Sequence, residues 1–260
     1  ARLQQQGVML SGPESGSQAC GEVGPGRMVE PAQLVEQVAA QFQSGLLQGV
    51  RVLITAGPTR EPIDPVRFLS NRSSGKMGFA IAQAAVEAGA EVTLVAGPVA
   101  LETPDHLRRI DVESGQEMAE VVVQEVAETA LFIATAAVAD YRPLEVAAEK
   151  IKKGSDERVL RLIRNRDILA EVAARPSPPY TVGFAAETEK LREYAQQKLV
   201  DKKVDMIAAN RVGEAGTGFD ADDNALILFW ADGERSLQRK SKRQLARELM
   251  AEIAQQISKR

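Results

Sequence analysis

The sequence predicts an α/β fold: a Rossmann-like, mainly parallel sheet with helices on both faces and appended β-hairpins. Three observations predict it. Short, continuous apolar runs, RVLITA, AEVTLVA, ALFIATAA, YTVGFAA and VDMIAAN, have the length and character of strands buried on both faces. Between them lie segments of helical period, FAIAQAAVEAG, GQEMAEVVVQEVAE and TEKLREYAQQKLVDKK, so strand and helix alternate as in a parallel sheet. Finally, KIKK and RVLRLIRN flank a Gly-Ser-Asp-Glu turn, and ALILFW and ERSLQRK flank Ala231-Asp232-Gly233, as hairpins do.

In chain order, residues 1–30 are rich in Gly, Ser and Pro around one short apolar run and begin without Met, which reads as the cut end of something longer. Residues 31–49 carry Leu34, Val35, Val38, Ala39 and Phe42 at helical spacing and predict a linker helix. The domain proper is expected over 50–260. It opens with a βαβ unit from Arg51 to Gly97, whose connecting loop of about 20 residues far exceeds the two to six of a structural connection. Ser114 is a suitable cap for the helix after LRRIDVE, and ALFIATAA delivers Ala136 to Pro143 to the sheet edge that holds Asn71. Beyond it, the basic arm Lys150-Ile151-Lys152-Lys153 is expected to overhang the carboxyl end of the sheet. Prolines stop a short helix after Asp167, and the last helix begins at a capping-box pattern, Ser241 with Gln244.

Composition narrows the function classes. The 260 residues are 44% apolar with a net charge of -4, an ordinary soluble globular chain. The 32 Lys and Arg are balanced by 36 Asp and Glu, so no global basic field points to nucleic acid. No apolar run approaches the ~20 residues that span a bilayer, and no signal-peptide pattern opens the sequence, so a cytoplasmic location is expected. A single cysteine, Cys20, excludes an intrachain disulfide framework and a cysteine-cluster metal site. The only histidine, His106, sits in a polar loop and receives no role, which also argues against a hydrolase triad.

The long loop ends in Asn71-Arg72-Ser73-Ser74-Gly75-Lys76-Met77-Gly78, where hydroxyls, unencumbered glycine backbone and a helix start together suit phosphate. A P-loop is excluded, because Ser70 and Met77 stand where Gly and Ser or Thr are required. A nicotinamide fingerprint is disfavoured: the next strand closes on Val95-Ala96-Gly97-Pro98, without an acid for the ribose.

AGPTREPIDPVRFLSNRSSGKMGFAIA, followed in order by ATAAVADYRP, AEKIKK, VGFAAET and ADDNALILFW, closely resembles the nucleotide-dependent phosphopantothenoylcysteine synthetases. In bacteria these form the second half of a bifunctional coenzyme A biosynthesis protein. The resemblance covers nearly all of residues 50–260, and it implies a CTP-dependent ligase. The carboxylate of 4'-phosphopantothenate would attack the α-phosphate of CTP, and L-cysteine would displace CMP from the acyl-cytidylate.

By the same resemblance, Asn71 contacts the acyl-cytidylate, Arg67 assists substrate binding, and Lys150, Lys198 and Lys202 bind nucleotide. Ser73, Ser74, Gly75 and Gly78 serve the phosphate loop. Ala134, Thr135 and Ala136 lie near the nucleotide with Asp140, and backbone near Ala136, Val138 and Ala139 would select the base. Asn165-Arg166-Asp167-Ile168 stands for the family's Asn-Pro-Asp-Ile nucleotide segment, with Leu169 beside it; Arg166 replaces the proline. Phe184 would stack on the base. Magnesium is expected to ride on the triphosphate, with no protein ligands assigned. Residues 1–30 resemble the last part of the flavin-dependent decarboxylase of the same bifunctional protein, with Ala19-Cys20-Gly21 as its motif and Glu22 where an aspartate is common. Cys20 would then be the decarboxylase proton donor only together with the missing FMN-binding half. A homodimer, with contacts from the carboxyl-terminal hairpin region, and a fused decarboxylase domain are the partners implied.

Read on residues alone, several of these positions keep plainer meanings. KIKK also fits a strand edge protected by lysines, Lys198 and Lys202 an exposed helix face, Phe184 a core residue, Asp140 a partner for Arg142, and Gly75 and Gly78 packing glycines. Two other function classes stay open on the same footing: a Rossmann-type oxidoreductase and a non-catalytic nucleotide-binding scaffold.

Overall fold

The computed structural model describes residues 3, 8, 10–17, 23–41, 45–152, 154, 157–187, 189–211 and 221–260. They fall into two compact units, Ala1–Ser44 and Gly45–Arg260. In the first, β1 (Glu14–Ser17) pairs antiparallel with β2 (Val23–Arg27), and α1 (Pro31–Gln41) begins on a proline whose fixed φ suits a first helical position. Cys20 and its motif lie outside the described residues.

The second unit starts a few residues before the expected boundary. Leu47 is buried and its amide donates to the Ala88 carbonyl, so the turn ahead of the first strand already belongs to the sheet. That strand, β3 (Arg51–Ala56), leads through a hairpin of β4 (Arg60–Pro62) and β5 (Phe68–Ser70) to α2 (Lys76–Glu87), then β6 (Glu91–Ala96) and β7 (Arg108–Asp111). Next come α3 (Gly115–Glu125), a 3-10 turn at 126–128, β8 (Leu131–Ala134), β9 (Tyr141–Pro143) and β10 (Leu162–Arg164). The chain continues with α4 (Ile168–Ala173), β11 (Tyr180–Glu187), α5 (Leu191–Lys202), β12 (Met206–Arg211), β13 (Asp223–Trp230), β14 (Gly233–Ser241) and α6 (Lys242–Ile257).

One eight-stranded sheet runs in the order β14-β13-β12-β11-β8-β3-β6-β7. The strands from β12 to β7 are parallel, while β13 and β14 form an antiparallel edge. The parallel strands are apolar on both faces because both are covered. Ile54, Leu94, Ile133 and Val182 pack with α2 and α6 on one face. Leu53, Val95, Phe132 and Ile207 pack with α3, α4 and α5 on the other. Burying each such side chain contributes roughly 1.5–3 kcal/mol, which explains why the strand signal is so strong in the sequence. Ser114 and Ser241 cap their helices as expected, accepting from the amides of Glu117 and Gln244.

The middle hairpin differs from expectation. Lys150 to Lys152 are not in a strand; the partner of Leu162–Arg164 is Tyr141–Pro143, with Ile163 opposite Arg142. The β-branched and apolar residues of YRP and LIR supply a better pair than a run of like charges would. The loop expected to be irregular also holds the β4–β5 hairpin, and α2 begins at Lys76, three residues before the apolar period does.

Candidate active site

From β3 the chain moves outward to β6 and β7, then returns to place β8 on the other side of β3. The order of the sheet therefore reverses between β3 and β8. In open α/β sheets the loops leaving the carboxyl ends at such a point diverge and leave a crevice. The two loops here are 57–75 and 135–140.

Both loops are locked in place. Thr59 Oγ1 accepts from the Ala139 amide at 3.0 Å, the Ala137 amide donates to the Gly57 carbonyl at 2.9 Å, and Asn71 Nδ2 donates to the Ala137 carbonyl at 3.0 Å. Asn71 is thus fixed against the β8 loop, as the sequence expects. Gly75 adopts φ 77°, and Gly57 Cα lies 3.4 Å from where a Cβ would stand. A side chain there would be strained in backbone and crowded by Val99 and by the start of the same loop. Gly78 packs more tightly: a Cβ would come 2.4 Å from Thr135 Oγ1 and 2.5 Å from the Ala56 methyl. Its role is to let α2 lie against β3 and β8, so the packing reading of this glycine holds and also sets where the helix start sits.

A cavity of about 400 Å3 opens over this helix start. Asn71, Ser73, Ser74, Gly75, Gly78, Thr135, Ala136 and Phe184 line it, so the crevice brings together eight of the expected site residues. Phe184 also packs against the core beneath the cavity, which joins its two readings. Lining residues with no signature in the sequence are Asn210 at the end of β12, Asn224 on β13 and the nearly buried Lys242 at the start of α6. Lys76, already part of the loop singled out in the sequence, also lines it; it pairs with Asp222 at 2.7 Å, and that hydrogen bond holds the Asp222 carboxyl below its usual range. Among the described residues, the lining contains cations, amides, hydroxyls and a helix start and no carboxylate, a donor set suited to an anion.

The segment 165–168, expected from the resemblance to serve nucleotide, is tied to the end of the 135–140 loop. Asn165 donates its amide to the Asp140 carbonyl at 2.8 Å and Nδ2 to the Ala139 carbonyl at 2.8 Å. Asp140 itself is exposed, while Arg142 bonds the Arg164 carbonyl and Asn165 Oδ1. Asp167 caps α4 through the Ala170 amide and pairs with Lys202 Nζ at 2.8 Å. Lys202 is thereby tied to the segment 165–168; Lys198 sits one turn earlier on α5. Arg166 turns away onto Glu171, whose hydrogen bond raises the guanidinium further. Ile168 and Leu169 are buried in the second core cluster, so their side chains anchor the segment rather than face the cavity. Ala134 ends β8 in register with Thr55 and Gly183.

Arg67 and Lys150 meet in a third cluster. Arg67 ion-pairs with the buried Asp64 at 2.8 Å and donates to the Ile151 carbonyl at 2.7 Å, next to the exposed Lys150. Burial pushes the Asp64 carboxyl up, but amide donors from Val66, Ile151 and Arg67, with the Arg67 charge, outweigh it and hold it below the usual range. Among the described residues, no group of three or more His, Cys, Asp or Glu could hold a metal ion, and no helix is long and apolar enough to cross a membrane.

Residues 47–257 match the family described as the DNA/pantothenate metabolism flavoprotein C-terminal domain. The chain is 54% identical over 258 residues to the coenzyme A biosynthesis bifunctional protein CoaBC of Vibrio cholerae, covering 98% of this chain and 65% of that protein. With the Escherichia coli protein of the same name it shares 50% identity over 256 residues, covering 96% and 63% respectively. The chain thus spans slightly under two thirds of these relatives. A crystal structure of the C-terminal domain of a CoaBC protein superposes with a TM-score of 0.72 at 43% identity, covering 84% of this chain and all of that one. The same fold recurs at 23% identity in a DNA/pantothenate metabolism flavoprotein from Streptococcus pneumoniae, with a TM-score of 0.69.

Proposed function

We propose, from the premise that this chain belongs to the DNA/pantothenate metabolism flavoprotein C-terminal domain family, that it joins 4'-phosphopantothenate to L-cysteine with CTP as the activating nucleotide. The observation that carries the reading is the cavity at the sheet's switch point, whose described lining gathers cations, amides and hydroxyls, with Asn71 braced on the Ala137 carbonyl at its mouth.

A ligase of this kind must bring two anions together and keep water from the acyl-nucleotide between them. The cavity over Ser73 to Gly78 takes the phosphate of phosphopantothenate, where hydroxyls, backbone amides and Lys242 stabilise it. The substrate's carboxylate then points toward the rim shared by Asn71 and the 135–140 loop. CTP lies along Asp140, Asn165 to Ile168 and Lys202, with Lys198 behind it, and Lys150 approaches the triphosphate from the Ile151 side. In the first step the carboxylate attacks the α-phosphorus and pyrophosphate leaves; Lys150 offsets the charge gathering on the phosphate oxygens. In the second, the cysteine amine attacks the acyl carbon and CMP leaves. Asn71 can accept from that amine while its own Nδ2 stays fixed on the Ala137 carbonyl, an orientation that adds no charge beside the leaving phosphate. No side-chain nucleophile takes part. Magnesium bound to the triphosphate would supply charge neutralisation of its oxygens; among the described residues no cluster of His, Cys, Asp or Glu is assembled to hold it independently.

The wider reading includes a fused FMN-dependent decarboxylase, served by Cys20, a cytoplasmic setting and a homodimer. For the last, β9, β10 and their flanks expose Tyr141, Leu144, Val146, Val159, Leu160 and Leu162, an apolar surface suited to a second copy. The apolar residues Leu226, Leu228 and Leu237 of the carboxyl-terminal hairpin are instead buried within the protomer.

The test is pyrophosphate release with 4'-phosphopantothenate and CTP or ATP, with and without L-cysteine. Release that needs CTP and phosphopantothenate, and CMP that appears on adding cysteine, supports the two-step ligase. Nucleotide binding without pyrophosphate would support a scaffold instead.

A further inference from the structure

We infer that Asp64 is a positioning residue that holds Lys150 in place by clasping the peptide units on either side of Ile151. This rests on the role of Lys150 proposed above. Lys150 lies in a stretch without regular secondary structure, so no strand or helix hydrogen bonds fix its backbone. Two contacts do. The Ile151 amide, which belongs to the peptide bond leaving Lys150, donates to Asp64 Oδ2 at 3.1 Å. The Ile151 carbonyl accepts from Arg67 at 2.7 Å, and the same guanidinium pairs with Asp64 Oδ2 at 2.8 Å. One carboxylate oxygen thus holds both the amide and the cation that grips the next carbonyl.

The other oxygen fixes the carboxylate itself. Asp64 Oδ1 accepts from the amides of Val66 at 2.8 Å and Arg67 at 2.9 Å, and the side chain is fully buried. The Ile63 amide donates to the Arg67 carbonyl, and the Ile63 carbonyl accepts from Ala147, so the turn at 63–67 is tied to the chain on both sides of the clasp. A buried, four-way hydrogen-bonded carboxylate on a tight turn is a rigid post; Lys150 is a long cation beside it. Arg67 accordingly also acts on the backbone beside Lys150. The charge of Asp64 is needed because Oδ2 faces two donors, a backbone N–H and a guanidinium.

That geometry selects the variant. Asp64→Asn keeps Oδ1 for the turn but places an NH2 group against the two donors, while Arg67→Gln, at an exposed side chain, removes the carbonyl grip with less risk to folding. Both are compared with the parent for trypsin cleavage after Lys150 and Lys152, followed by mass spectrometry, and for pyrophosphate release. Lys150→Gln and the double variant with Asp64→Asn complete the cycle. Cleavage is expected to rise about tenfold in each single clasp variant, with kcat for pyrophosphate release falling about 10- to 100-fold, the scale on which a misplaced group loses rate. In the Lys150→Gln background, Asp64→Asn should cost less than about twofold more. Parental cleavage in both clasp variants, parental pyrophosphate release despite raised cleavage, or an undiminished Asp64→Asn effect in the Lys150→Gln background each overturns the inference while leaving the Lys150 role intact. Parental release by Lys150→Gln itself overturns both.

Discussion

Replacing Gly78 by alanine adds one methyl group at the place where helix, sheet and cavity meet. The new Cβ would stand 2.4 Å from Thr135 Oγ1 and 2.5 Å from the Ala56 methyl. Ordinary carbon contacts lie near ~3.5–4.0 Å, so relief requires about an ångström of displacement by the start of α2. Neither neighbour yields easily: Ala56 is fully buried in β3, and Thr135 Oγ1 is held by its donation to the Thr55 carbonyl at 2.6 Å. Overpacking of this kind costs ~1–3 kcal/mol, against at most ~1 kcal/mol gained from the higher helix propensity of alanine. With two contacts far below 3.0 Å the cost lies at the upper end of that range, so the net loss is about 2 kcal/mol, which for a domain of this size lowers the melting temperature by about 4–8 °C. Differential scanning calorimetry on Gly78→Ala measures it, with Gly154→Ala, where a Cβ meets nothing within 4 Å, as the control expected to melt with the parent. Because the displaced helix start forms part of the cavity, KM for phosphopantothenate should rise in the same variant. A Gly78→Ala protein melting at or above the parental temperature would refute the reasoning.

Asn71→Asp puts a carboxylate where Nδ2 now meets the Ala137 carbonyl, so cysteine-dependent CMP formation should fall by about 100-fold, as when one oriented polar group is lost from an active site, with less effect on pyrophosphate release. Single-turnover assays of the two steps separate these. Lys202→Met unpairs Asp167 and removes a cation from the nucleotide segment; KM for CTP should rise by about tenfold while kcat changes little, which steady-state kinetics at varied CTP will show. Stability should depend on pH through carboxyls that folding depresses. Hydrogen bonding from Arg247 holds Glu87 low, and for Glu252 burial pushes upward but Gln256 and Arg235 win. A depressed pKa contributes stability above the unfolded value of 4.5 that is lost as pH falls through the folded one. Melting temperature should thus hold from about pH 8 to 5 and drop below, and Glu252→Gln should melt lower at neutral pH and show a shallower drop.

Most of the fold was legible because buried parallel strands leave an unbroken apolar run, and RVLITA and ALFIATAA are hard to read otherwise. Asn71, Ser73 and Gly75 could be placed because they close an unusually long loop and directly precede a helix of the first βαβ unit, at the end where α/β sheets open. The β4–β5 hairpin was not legible: REP and FLS are three residues each, one contains proline, and their pairing depends on the Asp64 turn rather than on period. The partner of β10 was misplaced because a Gly-Ser-Asp-Glu turn between polar runs looks local, whereas the actual partner strand lies some twenty residues earlier. Asn210, Asn224 and Lys242 escaped for a different reason. Each is a single polar residue at the end of an ordinary element, and only the sheet order brings them to one cavity. Asp64 in a Pro-rich loop gave no sign of being buried.

The cavity draws its lining from both ends of the sheet unit, residues 71–78 from its first loop and Lys242 from its last helix, which packs along α2 with Arg247 on Glu87. During synthesis the first wall emerges from the ribosome well over a hundred residues before the last. A nascent chain therefore carries a half-built cavity, and the side of α2 that α6 covers stays open until α6 arrives. For this protein, ligand competence and protection of the nascent chain from aggregation come together, at the final helix.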